Sequence, residues 1–429
     1  MTSRNLHRSI DAIWRIEAPR IIASLARMLR DVGLAEELAQ DAWVVALERW
    51  PEAGVPDNPG AWLLTTARHA AIDRLRRSQL QQRVQVELGH EAEAESMSDA
   101  DHVLAADEAI GDDMLRLMFV SCHPLLSIEA QAALTLRLLG GLTTDEIARA
   151  FLVPEPTIAQ RIVRAKRTLA KERVTFEVPH KGELAERLAS VLGVIYLIFN
   201  EGYAATAGDD WMRPSLCEEA LRLGRVLAEL LPMEPEVHGL VALMEIQASR
   251  AAARINATGA PILLLDQNRA RWDRLLIRRG LNALARAEKL GGAAGPYALQ
   301  AAIAACHARA TVAAATEWER IAALYAVLAR VMPSPVIELN RAVAIAMAFG
   351  PAAGLALVDA LADEPLLQQY HLLAAVRGDL LQKLDRRAEA RVEFERAAAL
   401  ARNTRERALL LDRAAACGAS AAAPEKKYS

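Results

Sequence analysis

The stretch Leu142-Thr143-Thr144-Asp145-Glu146-Ile147-Ala148-Arg149-Ala150-Phe151-Leu152-Val153-Pro154-Glu155-Pro156-Thr157-Ile158-Ala159-Gln160-Arg161-Ile162-Val163-Arg164-Ala165-Lys166-Arg167-Thr168-Leu169 decides the fold. Thr143 or Thr144 is placed to cap a helix, with Asp145 and Glu146 in the first turn, where acidic residues meet the positive end of the helix dipole. Ile147, Ala148 and Phe151 give that helix one apolar face. Pro154 and Pro156 stop it and open the next, which runs Pro156–Lys171. In the second helix Ile158, Ile162, Ala165 and Leu169 recur at i, i+4, i+7 and i+11, one buried stripe. The opposite side carries Thr157, Gln160, Arg161, Arg164, Arg167 and Thr168, flanked by Lys166 and Lys171. A short capped helix, a proline-bounded turn and a second helix with a polar, cationic ridge make a helix-turn-helix, whose ridge fits the major groove. Arginine there reads guanine edges and lysine neutralises phosphates.

Working outward, the composition fits an all-α protein. Of 429 residues, 53% are hydrophobic but only 4% aromatic, so helix formers dominate and strand formers are scarce. That length implies more than one core. The net charge of −3 hides clusters of basic residues at Arg68–Arg83 and Arg161–Arg173, with acidic residues between them. The longest apolar run, Leu192–Phe199, is far shorter than the roughly 20 residues that span a bilayer, and the N-terminus has no apolar signal core. A cytoplasmic protein is expected. Cys122, Cys217, Cys306 and Cys417 are widely spaced, which suggests neither a zinc site nor a disulfide framework. Cys122-His123 and Cys306-His307 read as core residues. No phosphate loop, dinucleotide fingerprint or metal-ligand spacing is present, so no catalytic residue, no cofactor and no enzyme activity are expected.

Upstream, Ile10, Ile13, Trp14, Ile21, Leu25, Met28 and Leu29 recur at helical spacing. Asp31-Val32-Gly33 breaks the pattern, and a second helix is expected over Ala35 to about Arg49. Trp50–Gly60 reads as a loop on proline and glycine grounds, with Asn58 as N-cap and Pro59 in the first turn of a third helix. That helix interleaves Trp62, Leu63, Ala67, Ile72 and Leu75 with Arg68, His69, Arg74, Arg76 and Arg77, a mixture suited to melted DNA. The divisions expected are 1–80, an acidic linker 81–113, 114–178, a large alanine-rich helical region 179–413, and a frayed tail 414–429. Within the large region, Leu339–Ala356 and Leu373–Arg391 align at about the tetratricopeptide period, with Glu317–Tyr325 an earlier candidate.

The order of these parts resembles a known family. Ala35-Glu36-Glu37-Leu38-Ala39-Gln40-Asp41-Ala42-Trp43 followed by Ala61–Arg77 resembles region 2 of extracytoplasmic-function (ECF) sigma factors, and Leu134–Ala148 followed by Val153–Arg167 resembles region 4. Tyr196–Tyr203, Asp266–Asp273, Gly295–His307 and Pro333–Ala342 resemble the extension of a subgroup with a C-terminal tetratricopeptide-like domain. The resemblance implies two small helical domains that bind DNA and core RNA polymerase, through the β′ clamp helices and the β flap, followed by a regulatory array. It assigns polymerase binding to Glu37, Leu38, Gln40, Asp41 and Trp43. It assigns the −10 element to Trp62, Arg68, His69, Arg74, Arg76 and Arg77, with His69 where many relatives carry asparagine. It assigns the −35 element to Thr157, Gln160, Arg161, Arg164, Lys166 and Arg167. The acidic linker would thread polymerase near the RNA exit path, its charge imitating RNA phosphate. The array would regulate the factor in cis by packing against the DNA-binding domains, and a protein or peptide ligand is its expected partner. Asp266, Arg269, Trp272 and Asp273 are its candidate contact residues. A conventional helix-turn-helix regulator with a tetratricopeptide-like sensor domain is the competing reading; it lacks a block such as Ala35–Arg77.

Overall fold

The computed structural model describes residues 3–86 and 106–419. These are helical, with isolated bridges at Gly208–Asn403 and Ile255–Pro261 and no sheet among the described residues. The chain divides into two compact units, Met1–Ile195 and Tyr196–Ser429.

The first unit holds α1 (Ser3–Leu29), α2 (Val32–Ala53), α3 (Pro59–Val86), α4 (Ala106–Ser121), α5 (Ile128–Leu138), α6 (Thr144–Phe151), α7 (Glu155–Lys171) and the start of α8 (Lys181–Tyr203). Ile10, Ile21, Ile22 and Leu25 of α1 are buried, and α1 packs on α2, α3 and α4. Leu117, Met118 and Phe119 of α4 and Leu134, Leu136 and Leu138 of α5 fill a neighbouring core. The two small domains expected from the sequence thus share one compact unit.

Three boundaries differ from expectation. α2 runs through Trp50 and Pro51 to Ala53: Trp50 is buried, and proline in a last turn costs a single ladder bond. Gly54, at φ +87°, ends it. Of the expected acidic linker 81–113, residues up to Val86 extend α3, Ala106–Asp113 begins α4, and 87–105 lies outside the described residues. In place of a boundary at 178/179, the division between the two units follows Ile195, inside α8, because Leu188, Val191 and Leu192 are buried and Arg187 and Ser190 donate to the carbonyls of Phe119 (2.7 Å) and Cys122 (2.8 Å).

The second unit continues with α9 (Pro214–Leu230), α10 (Pro235–Ala248), α11 (Arg274–Lys289), α12 (Pro296–Arg309), α13 (Trp318–Val331), α14 (Pro335–Phe349), α15 (Pro351–Ala360), α16 (His371–Lys383), α17 (Arg387–Leu400) and α18 (Thr404–Ala419). The two segments aligned at the tetratricopeptide period form the helical hairpins α14–α15 and α16–α17. Gly378 lets the buried Phe394 ring close onto α16; a Cβ there would meet the ring at 2.9 Å. The frayed tail expected from Ala414 is corrected as far as Ala419. Leu410, Ala414 and Cys417 are buried at helical spacing in α18, and 420–429 lies outside the described residues. All four cysteines are buried free thiols, and burial pushes those of Cys122 and Cys217 up to about 12. No described helix is long and apolar enough to cross a membrane.

Candidate nucleic-acid interface

Local sequence chemistry builds the helix-turn-helix. Thr143 Oγ1 accepts from Glu146 N at 3.1 Å, and Glu146 Oε2 accepts from Thr143 N at 2.9 Å, a reciprocal capping box. α6 ends at Leu152 in the left-handed region (φ +51°), where Val153 N–H returns to the Ala148 carbonyl at 3.1 Å. Proline then sets the direction of α7. Ile158, Ile162, Ala165 and Leu169 are buried against α5 and α6, as the periodicity requires. Thr157, Gln160, Arg164 and Arg167 are exposed, and Arg161 is half-buried. Arg161, Arg164 and Arg167 join no ion pair among the described residues, so their guanidinium donors are available to an outside acceptor. Thr157, Gln160, Arg161, Arg164 and Thr168 line an open groove of about 340 Å³ beside Ser127 at the start of α5. Lys166 differs from its neighbours: it is half-buried and paired with Glu36 of α2.

α3 starts as expected, with Asn58 Oδ1 accepting from Ala61 N at 3.0 Å. Its inward stripe is Leu63, Ala67 and Ala71, while Trp62, Ile72 and Leu75 lie half-buried on its flanks. The Trp62 ring meets Trp50 edge-on at 5.4 Å. Arg68, His69, Arg74, Arg76 and Arg77 are exposed, and Arg68 donates to Ser24 of α1 at 3.1 Å. The result is a cationic helix face with a fixed aromatic at its start.

On α2, Glu37 and Asp41 are exposed one turn apart, continued by Val44 and Glu48. Trp43 is half-buried and stacked on Trp14 at 5.4 Å. Gln40 is half-buried and donates to Glu36 at 2.7 Å. Leu38 departs from expectation: at 8% exposure it faces the core, since it sits beside the buried Ala35, Ala39 and Ala42. A partner meeting this face touches Glu37 and Asp41; Leu38 only holds the helix in place. Glu36, grouped from the sequence with Glu37, Gln40 and Asp41 on the acidic face of this helix, is instead 3% exposed, and its partners Arg137 and Lys166 stand far along the chain. Its position beside the alanine stripe of α2 is the one local hint.

In the second unit the Asp266–Asp273 motif is divided. Asp266 is exposed, and Asp273 is spent as the N-cap of α11, accepting from Leu275 N (2.8 Å) and Leu276 N (3.1 Å). Arg269 and Trp272 are buried. Arg269 donates to the carbonyls of His307 (2.6 Å) and Ala310 (2.8 Å) and to Thr316 (3.1 Å), and lies 5.0 Å from the Trp272 ring. Arg254 likewise donates to the last carbonyl of α8, at Tyr203, and stacks over its ring at 3.5 Å. Arginines placed on helix C-terminal carbonyls complement the negative end of the dipole. The motif is therefore an internal brace of the unit, and Arg269 and Trp272 offer no surface to a docking domain.

The brace sets a pH dependence. Burial, and then the positive charges of Arg250 and Arg269, lower the His307 imidazole to about 4. The unfolded chain takes up that proton near the usual 6.5, the folded unit only near 4. His307 thus leaves stability intact above pH 6.5 and removes up to about 3 kcal/mol as pH falls toward 4. Urea unfolding at pH 7 and pH 5 checks this: a His307→Phe variant should lose clearly less between the two pH values than the parent, and equal losses would contradict it.

Comparison with known proteins agrees with this geometry. Residues 13–81 match the family Sigma-70 region 2, which spans α2 and the basic part of α3. Residues 116–169 match Sigma-70, region 4, which spans the helix-turn-helix. Residues 187–288 match a family of unknown function (DUF6596). An uncharacterized protein of Rhizobium meliloti (strain 1021) is 44% identical over 416 residues, covering 95% of this chain and 96% of that protein. The ECF RNA polymerase sigma factor SigK of Mycobacterium ulcerans (strain Agy99) is 34% identical over 154 residues, 35% of this chain and 78% of its own length. SigK of Mycobacterium tuberculosis (strain H37Rv) is 32% identical over the same length. No solved structure matches. Regions 2 and 4 together define a sigma-70-type transcription initiation factor. Within that class the chain belongs to the ECF RNA polymerase sigma factors, with a C-terminal extension in place of a bare two-domain chain.

Proposed function

We propose that α7 reads the −35 element through Thr157, Gln160, Arg161, Arg164 and Arg167, with Lys166 on phosphate. α3 melts and reads the −10 element through Trp62, Arg68, His69, Arg74, Arg76 and Arg77. α2 docks on the β′ clamp helices of core polymerase through Glu37 and Asp41, with Gln40 and Trp43 at the edge of the contact, and the region-4 domain meets the β flap. The chain itself catalyses nothing. The observation that carries this reading is the division of α7 into a buried Ile158-Ile162-Ala165-Leu169 stripe and an arginine ridge that joins no ion pair among the described residues.

The second unit regulates sigma activity in cis. Its size supports this, since more than half the chain lies beyond Ile195, as do its helical hairpins, an architecture that presents protein-binding surfaces when stacked. Genomic fragments bound by the reconstituted holoenzyme test both parts. They should share two short elements at a fixed spacing, and a chain ending after Tyr203 should change how much of them is recovered. Fragments without shared elements would contradict the promoter reading; equal recovery by both chains would contradict regulation in cis.

A further inference from the structure

Within the second unit, three arginines gather at the C-terminal ends of α8, α10 and α12 without a carboxylate among them. Arg254 and Arg269 are 8% and 6% exposed, and Arg250 is half-buried. None of the three joins an ion pair among the described residues. The carboxylates nearest in sequence are used elsewhere or face solvent: Glu245 pairs with Arg225, Asp273 caps α11 and Asp266 is exposed. Arg254 donates to the Tyr203 carbonyl, and Arg269 to those of His307 (2.6 Å) and Ala310 (2.8 Å). A helix C-terminus carries about half a negative charge, so the ends of α8 and α12 offset about one positive charge of three. Roughly two stay uncompensated in a place largely out of water, where charges are ordinarily paired. Burial, and then the charge of Arg250, holds the Arg269 guanidinium below the usual arginine range.

The same cluster has donors to spare. Arg250 uses Nη2 on the Tyr203 hydroxyl (2.7 Å) and on Gln247, both uncharged, and its Nε makes no hydrogen bond. Arg269 Nε and the indole Nε1 of Trp272, a residue only 3% exposed, are also unpartnered among the described residues. His307, 8% exposed, has an unpartnered Nδ1. These groups are neighbours. The Arg250 guanidinium lies 5.7 Å from the centre of the Trp272 ring, and that of Arg269 lies 5.0 Å from it. A buried N–H without an acceptor costs free energy, and several in one place, beside unbalanced positive charge, define the missing partner as an oxyanion. The buried Arg269 and Trp272 leave no face for a protein, so the partner is small and reaches them past the half-buried Arg250 and Tyr203.

We propose that Arg250, Arg269 and Trp272 form a binding site in the second unit for a small doubly charged oxyanion, a phosphate-bearing or dicarboxylate compound. Arg250 meets the charge first, since its planar fork suits a pair of oxygens, and the buried nitrogens complete the coordination. The site gives the second unit a chemical input of its own and stands whatever α7 reads.

Arginine modification by phenylglyoxal, followed peptide by peptide by mass spectrometry on the full-length chain, tests the site without a variant. Sodium phosphate and sodium succinate at millimolar concentration are the probes, against sodium chloride at matched ionic strength. At least one probe should protect Arg250 several-fold, chloride should not, and the exposed Arg271 should react alike throughout. Protection by phosphate alone assigns the site to phosphate-bearing compounds, and protection by succinate alone to dicarboxylates. Protection by neither, or equal protection by chloride, would overturn the proposal. Isothermal titration then separates this site from the cationic ridge of α7, which also attracts phosphate. Arg250→Gln should weaken binding of the effective probe about tenfold or more, the loss expected for a hydrogen bond to a charged group. The Arg161→Ala, Arg164→Ala chain should bind it as the parent does. The opposite pattern, or an Arg250→Gln chain that folds and binds unchanged, would mean an adventitious ion only and overturn the proposal. If Arg250→Gln fails to fold, the labelling of the unaltered chain decides.

Discussion

Replacing Arg161 and Arg164 with alanine should lower promoter-directed initiation by roughly 30-fold to 10⁴-fold while leaving affinity for core polymerase unchanged. The range follows from about 1–3 kcal/mol for each bidentate arginine–guanine contact. The fold should tolerate the change. Both side chains lie outside the Ile158-Ile162-Ala165-Leu169 stripe, neither joins an ion pair among the described residues, and alanine is the best helix former. Arg167→Ala should cost less if that residue meets phosphate, and its loss should be similar on every promoter. Multi-round transcription at subsaturating holoenzyme checks this. A loss below threefold for the double variant would remove α7 from promoter recognition.

Reversing Glu37 and Asp41 to lysine should abolish co-elution with core polymerase, a loss of affinity of at least about 100-fold. Two like-charge contacts across an interface cost several kcal/mol. Both residues are exposed and free of ion pairs among the described residues, so reversal leaves α2 folded, as a circular-dichroism melt should show. Leu38 cannot serve as the probe. It is buried, and Leu38→Ala would cost about 2–5 kcal/mol of stability, mixing lost folding with lost binding. Retained co-elution of the double reversal would move the polymerase dock to another face.

What the sequence shows and what it hides follow from the range of the interactions. The helix-turn-helix was legible because its determinants are local: the cap was narrowed to Thr143 or Thr144, which the Thr143–Glu146 capping box resolves, and the buried stripe of α7 has a fixed period. Asn58 as a cap was legible for the same reason. Pro51 misled because a punctuation signal was weighed without knowing that Trp50 is buried and holds the last turn of α2. Alanine misled at Ala414: a stretch without large side chains looks unanchored, yet Ala414 and Cys417 are buried in α18. The buried roles of Glu36 and Arg269 were not legible at all. Their partners, Arg137, Lys166, His307 and Thr316, are brought to them only by tertiary packing. A charged residue that becomes an internal tie has the same sequence signature as one that faces solvent.

The most direct test of the account is run-off transcription from a fragment recovered with the holoenzyme, comparing core polymerase alone, core with the full chain, and core with the Arg161→Ala, Arg164→Ala chain. The account predicts a discrete transcript only with the unaltered chain, its start a fixed distance downstream of the paired elements. A transcript of equal yield from core alone, or from the double variant, would contradict it.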